Sequence, residues 1–297
     1  MEGFKFNFGG SGAAPLPGPA PASVLASPPP SLCLVPLPSF SGAVPLQPLA
    51  GHQPPLLHYL VPDADAVSGA GQLDVVPHIY EGGAKIWECT RDLLQYLGQP
   101  EAAAGAALQG ARVLDLGCGA GLLGVHALQR GAASVTFQDL NAPVLAEVCA
   151  RNIAGNSSSF GQPQAAAAET AATAATLLAG DWGALLAALA VPAASADAAQ
   201  LHLHPGFDVI LSAETLYRPE AYATLCPLIK GLLARSGKGS ALALIATKRF
   251  YFGAGLGGGT QLFMEACKAH GLAAATVASH QDGMSNVRDI VQVSCAP

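Results

Sequence analysis

The feature that most constrains this chain is a glycine-rich turn between a strand-forming and a helix-forming segment, at residues 112–124. The apolar run Arg112–Leu116 predicts a buried β-strand, and the apolar residues that follow Gly121 predict a helix. Gly117 and Gly119 alternate with other residues in the turn between them. Because glycine has no Cβ, such a turn lets backbone approach a ligand closely, with helix N–H groups facing it. The sequence therefore predicts a ligand site at the carboxyl end of this strand.

Two aspartates sharpen this prediction. Asp115 lies on the strand itself, at a position where a dinucleotide-binding fingerprint usually has a glycine. The segment from Asp115 to Gly121 instead resembles the first motif of methyltransferases that use S-adenosylmethionine. A second predicted strand ends in Asp139, which can accept hydrogen bonds from ribose hydroxyls in either cofactor class, or can simply cap a turn or helix.

Composition limits the class of protein. Of 297 residues, 51 % are apolar and 11 % are charged, so one large domain with a tail can bury a substantial core. We expect no membrane segment and no secretory signal, because no apolar run reaches the ~20 residues that span a bilayer and no basic n-region precedes an apolar one. Seven cysteines without CxxC spacing predict reduced thiols. A net charge of −6 argues against direct nucleic-acid binding and suits a basic protein partner.

Composition also divides the chain. Residues 1–55 are rich in Pro, Gly and Ala, which predicts a largely disordered arm, and residues 56–297 predict one domain. Two segments, about 155–175 and 192–205, are expected to be surface insertions, and His202 and His204 in the second are expected to be solvated.

Strands and helices alternate along the domain, which predicts a mostly parallel sheet with helices on both faces and a late hairpin that adds an antiparallel strand. Strands are predicted at 112–116, 134–139, 176–180, 207–212, 240–247, 273–279 and 287–293, and helices at 87–97, 121–130, from Pro143, 184–190, 221–233 and 260–269.

Five blocks together resemble the eukaryotic protein-histidine N-methyltransferases of the methyltransferase-like family. They are Tyr80–Thr90, Phe137–Asn141, Gly180–Trp182, Leu211–Tyr217 and Thr247–Gly255. The resemblance covers roughly residues 74–293, and the opening Phe4–Phe8 is also similar. It implies a Rossmann-like seven-strand α/β sheet with S-adenosylmethionine as cofactor. The chain departs from the family at Ala213, where serine is usual, and in residues 155–175, which lack the basic cluster that can act as a nuclear signal.

The resemblance also implies a set of residues around the cofactor, with the block before the first strand against its methionine end and Asp181–Trp182 beside adenine. For several of these residues a structural role is the alternative: core packing for Trp87, helix capping for Thr90 and Asp181, and a solvated position for Glu88. No metal site is predicted, because metal-ligand spacing is absent. The candidate cofactor residues are Ile86, Trp87, Glu88, Cys89, Thr90, Asp115, Gly117, Gly119, Gln138, Asp139, Asn141, Asp181, Trp182 and Ser212.

Glu214 and Tyr217 are the candidate catalytic residues, because they follow the fourth strand at its carboxyl end. Related lysine enzymes have Asp-x-x-Tyr there, whereas this chain has Glu-x-x-Tyr, which favours histidine as acceptor. A carboxylate can orient an imidazole through its far N–H and stabilise the methylated cation. The alternative is that Glu214 caps the turn and Tyr217 packs on the following helix.

The resemblance implies a monomer that methylates the tau nitrogen of a histidine in a large-subunit ribosomal protein, in the cytoplasm and nucleus, including the nucleolus. Two other functions stay open: a lysine methyltransferase on the same fold, and a non-catalytic module that binds S-adenosylmethionine during ribosome assembly. An NAD-dependent oxidoreductase fits poorly, because of Asp115 and because the chain has no Tyr-x-x-x-Lys pair.

Overall fold

The structure is a computed structural model that describes residues 32–38, 47–49, 58–59, 85–99, 105, 107–160, 174–252, 257–281, 283 and 286–296. The predicted pattern at Phe4–Phe8, most of the arm and most of the insertion at 155–175 lie outside the described residues. No helix in the described ranges is long and apolar enough to cross a membrane.

Ten strands are described, eight of them in one sheet. In chain order they are β1 (Cys33–Val35), β2 (Gln47–Pro48), β3 (His58–Tyr59), β4 (Arg112–Leu116), β5 (Ser134–Asp139), β6 (Ala175–Ala179), β7 (Val209–Ala213), β8 (Leu242–Lys248), β9 (Leu272–His280) and β10 (Arg288–Cys295). The main sheet has the order β1-β6-β5-β4-β7-β8-β10-β9, and β2 pairs with β3 separately. Strands β6, β5, β4, β7 and β8 are parallel, while β10 is antiparallel to both of its neighbours. The predicted parallel sheet with a late antiparallel strand is confirmed.

Helices cover both faces of this sheet. They are α1 (Glu88–Gly98), α2 (Leu122–Gln129), α3 (Ala142–Val144), α4 (Ala150–Asn156), α5 (Trp182–Leu189), α6 (Ala198–Leu201), α7 (Tyr222–Arg235) and α8 (Thr260–Ala269). A π-helical turn, Leu145–Cys149, joins α3 to α4, and Pro143 lies in the first turn of α3 as predicted. The other predicted helices are also present, with ends that differ by a few residues.

Alternate residues of the strands fill two apolar layers. Val113 and Leu211 belong to the layer under α1, α2 and α4, whereas Leu114 and Ile210 belong to the layer under α5, α7 and α8. All four side chains are at most 2 % exposed, so the period of two along β4 and β7 accounts for both faces. Because β4, β5, β6, β7 and β8 are parallel, their carboxyl ends share one edge of the sheet, which is where ligands bind in open α/β sheets.

The arm differs from the prediction at two short segments, Cys33–Val35 and Gln47–Pro48, and the second of these pairs with β3. Cys33–Val35 adds an antiparallel strand to the edge of the sheet, with Cys33 opposite Ala179. The edge of β6 offers unpaired N–H and C=O groups, and the short apolar run at 32–35 supplies matching ones before Pro36 interrupts the pairing. The expectation that residues 1–55 lack regular structure is therefore wrong for both segments.

The insertion at 192–205 also differs from a plain surface loop. It contains α6, whose first turn carries a capping box between Asp197 and Gln200. Ala199 and Leu203 are buried in the core, at 6 % and 0 % exposure, so this connection packs against the domain. His202 is exposed, as predicted. The expectation is wrong for His204, which is only half-exposed, and whose Nε2 is buried without a hydrogen bond among the described residues.

Candidate active site

The glycine turn after β4 has the left-handed backbone that its sequence predicts. Gly117, Gly119 and Gly121 have φ angles of 66°, 51° and 75°. A Cβ at Gly117 would lie 2.8 Å from Cγ2 of Thr215, and one at Gly121 would lie 2.5 Å from Sγ of Cys149. Both positions therefore need glycine for conformation and for space.

Asp115 fastens this turn to the strand. Its Oδ2 accepts a hydrogen bond of 2.8 Å from the N–H of Gly124, in the first turn of α2. Burial raises the pKa of Asp115 to about 8, and the nearby charge of Asp139 adds to the effect. Its Oδ1 is buried without a hydrogen bond to any described residue. Asp115 thus shapes the site and keeps one polar atom available inside it.

The end of β5 holds the turn from the other side. The N–H of Gly119 donates to Oδ2 of Asp139 at 2.9 Å, and the N–H of Asn141 donates to Oδ1 at 3.0 Å. The side-chain oxygen of Gln138 accepts from the N–H of Gly117 at 3.2 Å. The amides of Gly117 and Gly119 therefore bind side chains of β5. A carboxylate has about four acceptor sites, so Asp139 retains capacity for hydroxyl donors.

Asp181 and Trp182 border the same edge, after β6. Oδ1 of Asp181 accepts from the N–H of Ala184 at 2.6 Å, so Asp181 is the N-cap of α5. Trp182 lies next to the turn: Cζ2 of its ring is 3.9 Å from the position that a Cβ of Gly117 would take. The ring is suited to forming a wall of a ligand site, whereas one oxygen of Asp181 has a structural role.

Ser212 links the ends of two central strands. It is 1 % exposed, and its hydroxyl donates to the carbonyl of Leu116 at 2.7 Å. The same hydroxyl lies 2.8 Å from the hydroxyl of Thr215. These contacts keep the β7 loop against the glycine turn.

Residues 85–90 lead into α1, which packs on the same sheet face as α2. The helix begins after Trp87 without a side-chain cap, so the proposed capping role of Thr90 is not observed. Ile86 is half-buried against the core, and Cys89 is fully buried. Burial raises the pKa of the Cys89 thiol, and the charge and hydrogen bonding of the neighbouring Glu214 raise it further.

Glu88 is more exposed than its neighbours and forms an ion pair. Its Oε2 lies 3.5 Å from Nζ of Lys248, at the end of β8. Burial raises the pKa of Glu88, but a backbone hydrogen bond and the Lys248 ammonium outweigh it and lower the pKa below its ordinary value. Glu88 is therefore ionised at neutral pH.

Glu214 has the most unusual backbone of the site. It is the only non-glycine residue with a positive φ, 58°, in the part of the chain that the structure describes. Its N–H donates to the carbonyl of Ala246 at 2.9 Å, and the hydroxyl of Tyr251 donates to its Oε2 at 2.6 Å. Its Oε1 is buried without a hydrogen bond from any described residue, 3.7 Å from Nζ of Lys248. Strained backbone of this kind is concentrated at functional sites.

Tyr217 completes the predicted pair. Its ring packs edge-on against the ring of Tyr251, with centroids 6.2 Å apart, and the guanidinium of Arg218 lies 5.5 Å from its centroid. The N–H of Gly258 donates to its carbonyl at 3.2 Å. The structure thus brings both predicted catalytic residues into contact with Tyr251.

Sequence reasoning missed three members of this site, namely Tyr251, Lys248 and Thr215. Tyr251 and Lys248 lie in the block Thr247–Gly255, which begins with the last two residues of β8 at the same sheet edge. The position of that block after a parallel strand was the signal that could have identified them. Burial and the charge of Glu214 raise the pKa of Tyr251, so its hydroxyl remains a donor at neutral pH.

The site fits the cofactor that the sequence implies. Four features lie along one edge of the sheet. They are the left-handed glycine turn, the carboxylate of Asp139, the ring of Trp182, and the Oδ1 of Asp115, which is buried without a hydrogen bond to any described residue. Such an arrangement suits a nucleoside with ribose hydroxyls and an aromatic base. Among the described residues no group of three or more His, Cys, Asp or Glu side chains could hold a metal ion.

Comparison with known proteins gives consistent matches. A sequence model of the family described as "Lysine methyltransferase" matches residues 76–252. A relative from Dictyostelium discoideum named "Histidine protein methyltransferase 1 homolog" is 33 % identical over 222 residues, which cover 74 % of this chain and 60 % of the relative. The relative of the same name from Mus musculus is 36 % identical over 210 residues, covering 67 % and 53 %. The chain thus spans between half and two thirds of the length of these relatives.

Among solved structures, the magnesium protoporphyrin IX methyltransferase from Synechocystis PCC 6803 with bound SAH aligns with a TM-score of 0.39 and 15 % identity. The alignment covers 65 % of this chain and 77 % of that one.

Proposed function

The chain belongs to the lysine methyltransferase family, and we propose that it uses S-adenosylmethionine to methylate a histidine imidazole in a protein. The choice of acceptor rests on the relatives named histidine protein methyltransferase 1 homolog, which are 33–36 % identical to this chain. The geometric support is Glu214, whose buried Oε1 has no hydrogen bond from the part of the chain that the structure describes and lies at the sheet edge beside the cofactor residues.

The cofactor of this family is S-adenosylmethionine, which supplies an electrophilic methyl group on a sulfonium sulfur when it is bound. Asp139 would accept hydrogen bonds from the ribose, and Trp182 would pack beside the adenine. The block from Ile86 to Thr90 would contact the methionine end. Burial of Asp115 and Ser212 suggests that they act by holding the glycine turn rather than by broad contact with the cofactor.

The chemistry requires a neutral imidazole, because the imidazolium ion has no free lone pair for attack. A histidine with an unperturbed pKa of ~6.5 is mostly neutral at pH 7, so orientation is the main contribution of the enzyme. Glu214 would accept a hydrogen bond from one ring N–H and thereby direct the opposite nitrogen at the methyl carbon. Transfer would form a bond between the ring nitrogen and the methyl carbon and break the bond from that carbon to sulfur, whose electron pair would stay on sulfur. The ring would become a methylimidazolium, and Glu214 could receive the proton of the other N–H.

Tyr251 and Tyr217 would support this geometry. Tyr251 holds Oε2 of Glu214, which leaves Oε1 for the acceptor ring. Tyr217 packs on Tyr251 and lines the same region. In this scheme Tyr251 is a positioning residue and Glu214 contacts the substrate.

At a finer level, we propose a histidine of a large-subunit ribosomal protein as the substrate and its tau nitrogen as the methylated atom. The net charge of −6 suits a basic partner. We also propose that the protein acts as a monomer in the cytoplasm and nucleus, including the nucleolus.

A lysine acceptor is the second candidate, and the description of the matching family favours it. The chemistry is more demanding, because a lysine amine has a pKa of ~10.4 and must lose a proton before it can attack. A lysine site would therefore need a base or a desolvated pocket for the amine.

The test is methyl transfer from radiolabelled S-adenosylmethionine to unmodified ribosomal proteins, followed by amino-acid analysis. We expect label in methyl-histidine, with activity rising from about pH 6 to pH 8 as the imidazole loses its proton. Glu214→Gln should lower kcat more than it weakens cofactor binding. Label in methyl-lysine with none in methyl-histidine would refute the proposal.

A further inference from the structure

Lys248 lies among side chains that together are suited to bind a cation. Its Nζ is 3.5 Å from Oε2 of Glu88 and 3.7 Å from Oε1 of Glu214. The same atom lies 5.6 Å from the ring centroid of Trp87 and 5.9 Å from that of Tyr251. Carboxylates and aromatic faces both attract cations at such distances. We name Trp87, Glu88, Glu214 and Tyr251 the carboxylate–aromatic cage.

The cage overlaps the position proposed for the acceptor. Glu214 is 9 % exposed, and its Oε1 is the atom assigned to the acceptor ring. Lys248 is the cation nearest to that atom in the ion pairs of the described residues. The side chain of Lys248 is 23 % exposed, whereas that of Glu214 is 6 % exposed.

We propose that Lys248 selects a neutral imidazole as acceptor and excludes a lysine ammonium. The inference rests on the proposed function and adds the residue that discriminates between the two acceptors. An incoming lysine carries a positive charge at neutral pH, because its pKa is ~10.4. It would meet the like charge of Lys248, and the carboxylates that could bind it already have a cation. A neutral imidazole meets no such repulsion and can still donate its N–H to Glu214.

The cage also gives this selection a structural basis. Without Lys248, two carboxylates and two aromatic rings would form a site for an ammonium group. The chain places its own lysine there. A member of the family described as lysine methyltransferases can thus keep the cage and methylate histidine instead of lysine.

The first experiment compares Lys248→Met with wild type in the radiolabel assay on unmodified ribosomal proteins. We expect the ratio of methyl-lysine to methyl-histidine to rise at least about tenfold in Lys248→Met, because a like charge at close range is removed. Lys248→Arg keeps the charge and should keep the wild-type ratio. Lys230→Met is the matched control: Lys230 is exposed on α7 and donates to the carbonyl of His270 at 2.9 Å.

The two proposals fail in different ways in this assay. Absence of methyl-histidine from the wild-type reaction overturns the proposed function. Methyl-histidine in wild type, with an unchanged ratio in Lys248→Met, overturns the selection by Lys248. A change in the affinity for S-adenosylmethionine with an unchanged ratio would assign the effect of Lys248 to the cofactor, and would also overturn the inference.

A second measurement does not depend on turnover. Propylammonium chloride mimics the end of a lysine side chain, and its effect on Tm is compared with that of sodium chloride at equal concentration. In Lys248→Met the two carboxylates of the cage lose the ammonium that pairs with them, while Lys85, whose Nζ lies 4.5 Å from the ring centroid of Trp87, remains. Propylammonium should therefore raise Tm more than sodium does, and should also recover folded protein if the variant folds poorly. Wild type should respond equally to both salts. An equal response in both proteins overturns the inference.

Discussion

Tyr251→Phe tests the assembly of the site most directly, because it removes one hydroxyl and keeps the ring. The lost hydrogen bond joins that hydroxyl to Oε2 of Glu214 at 2.6 Å, in a region where Glu214 is 9 % exposed. Hydrogen bonds to charged groups contribute about 1.5–3 kcal/mol, so the free energy of unfolding should fall by about that amount. For a domain of this size the fall corresponds to a decrease in Tm of about 3–12 °C.

The same variant should also lose activity. Without the hydrogen bond from Tyr251, Glu214 can leave the orientation that its strained backbone imposes, and misplacement of about 1 Å at a reacting group can cost about a hundredfold in rate. We expect kcat to fall between tenfold and about a hundredfold, while the Kd for S-adenosylmethionine changes little. Steady-state kinetics, calorimetry and a thermal melt measure the three quantities.

Tyr96→Phe is the control for this variant. Tyr96 is half-buried on α1, in the layer that packs against the sheet, and it lies outside the set of site residues. It should keep wild-type kcat. A Tyr251→Phe protein with wild-type Tm and wild-type kcat would refute the assignment of Tyr251 as the residue that positions Glu214.

Three further variants test other parts of the structure. Gly124→Ala should lower stability by about 1–3 kcal/mol in a denaturant melt, because its Cβ would lie 2.3 Å from Cε1 of the buried Phe137. Gly119→Arg should weaken binding of S-adenosylmethionine at least a hundredfold (about 2.7 kcal/mol) in calorimetry, because the side chain would fill the turn. Asp208→Asn should lower stability at pH 7 by about 2–4 kcal/mol. Burial raises the pKa of Asp208, but hydrogen bonds from Lys238, Ser236 and Arg112 outweigh that effect and lower the pKa. Wild type should therefore lose this stability as pH falls below about 4, because the carboxylate becomes protonated. Asp208→Asn has no carboxylate at this position and should show no such loss. A pH-independent difference between the two would contradict that reasoning.

The parallel sheet could be predicted from the sequence because its determinants are local. The apolar runs at β4, β5, β7 and β8 are flanked by turn residues, and the glycine turn has a distinctive spacing. The edge strand Cys33–Val35 could not, because its pairing depends on an exposed strand that lies more than 140 residues away in the chain. Proline-rich flanks outweighed three apolar residues in the prediction.

The same contrast holds at the site. Asp139 and the glycine turn are close in sequence, so their proximity follows from one strand–helix–strand unit. The contacts of Glu214 with Tyr251 and Lys248 join the ends of two different strands, and Glu88 comes from a helix that precedes both. Spacing along the chain carries no information on such contacts. Topology supplies it, because parallel strands bring their carboxyl ends to one edge.

One long-range ion pair connects the closing hairpin to the acceptor side of the site. Nε of Arg288, on β10, donates to Oδ2 of Asp92 on α1, and both residues are at most 9 % exposed. Asp92 lies one helical turn after Glu88, so this buried pair fixes the turn that carries Glu88 toward Lys248. Breaking a buried pair by removing one partner is costly, because the other charge is left uncompensated. The antiparallel strand β10 therefore does more than extend the sheet. Through its ion pair with Asp92 it holds α1 in place, and α1 in turn positions Glu88 of the carboxylate–aromatic cage beside the ends of β7 and β8.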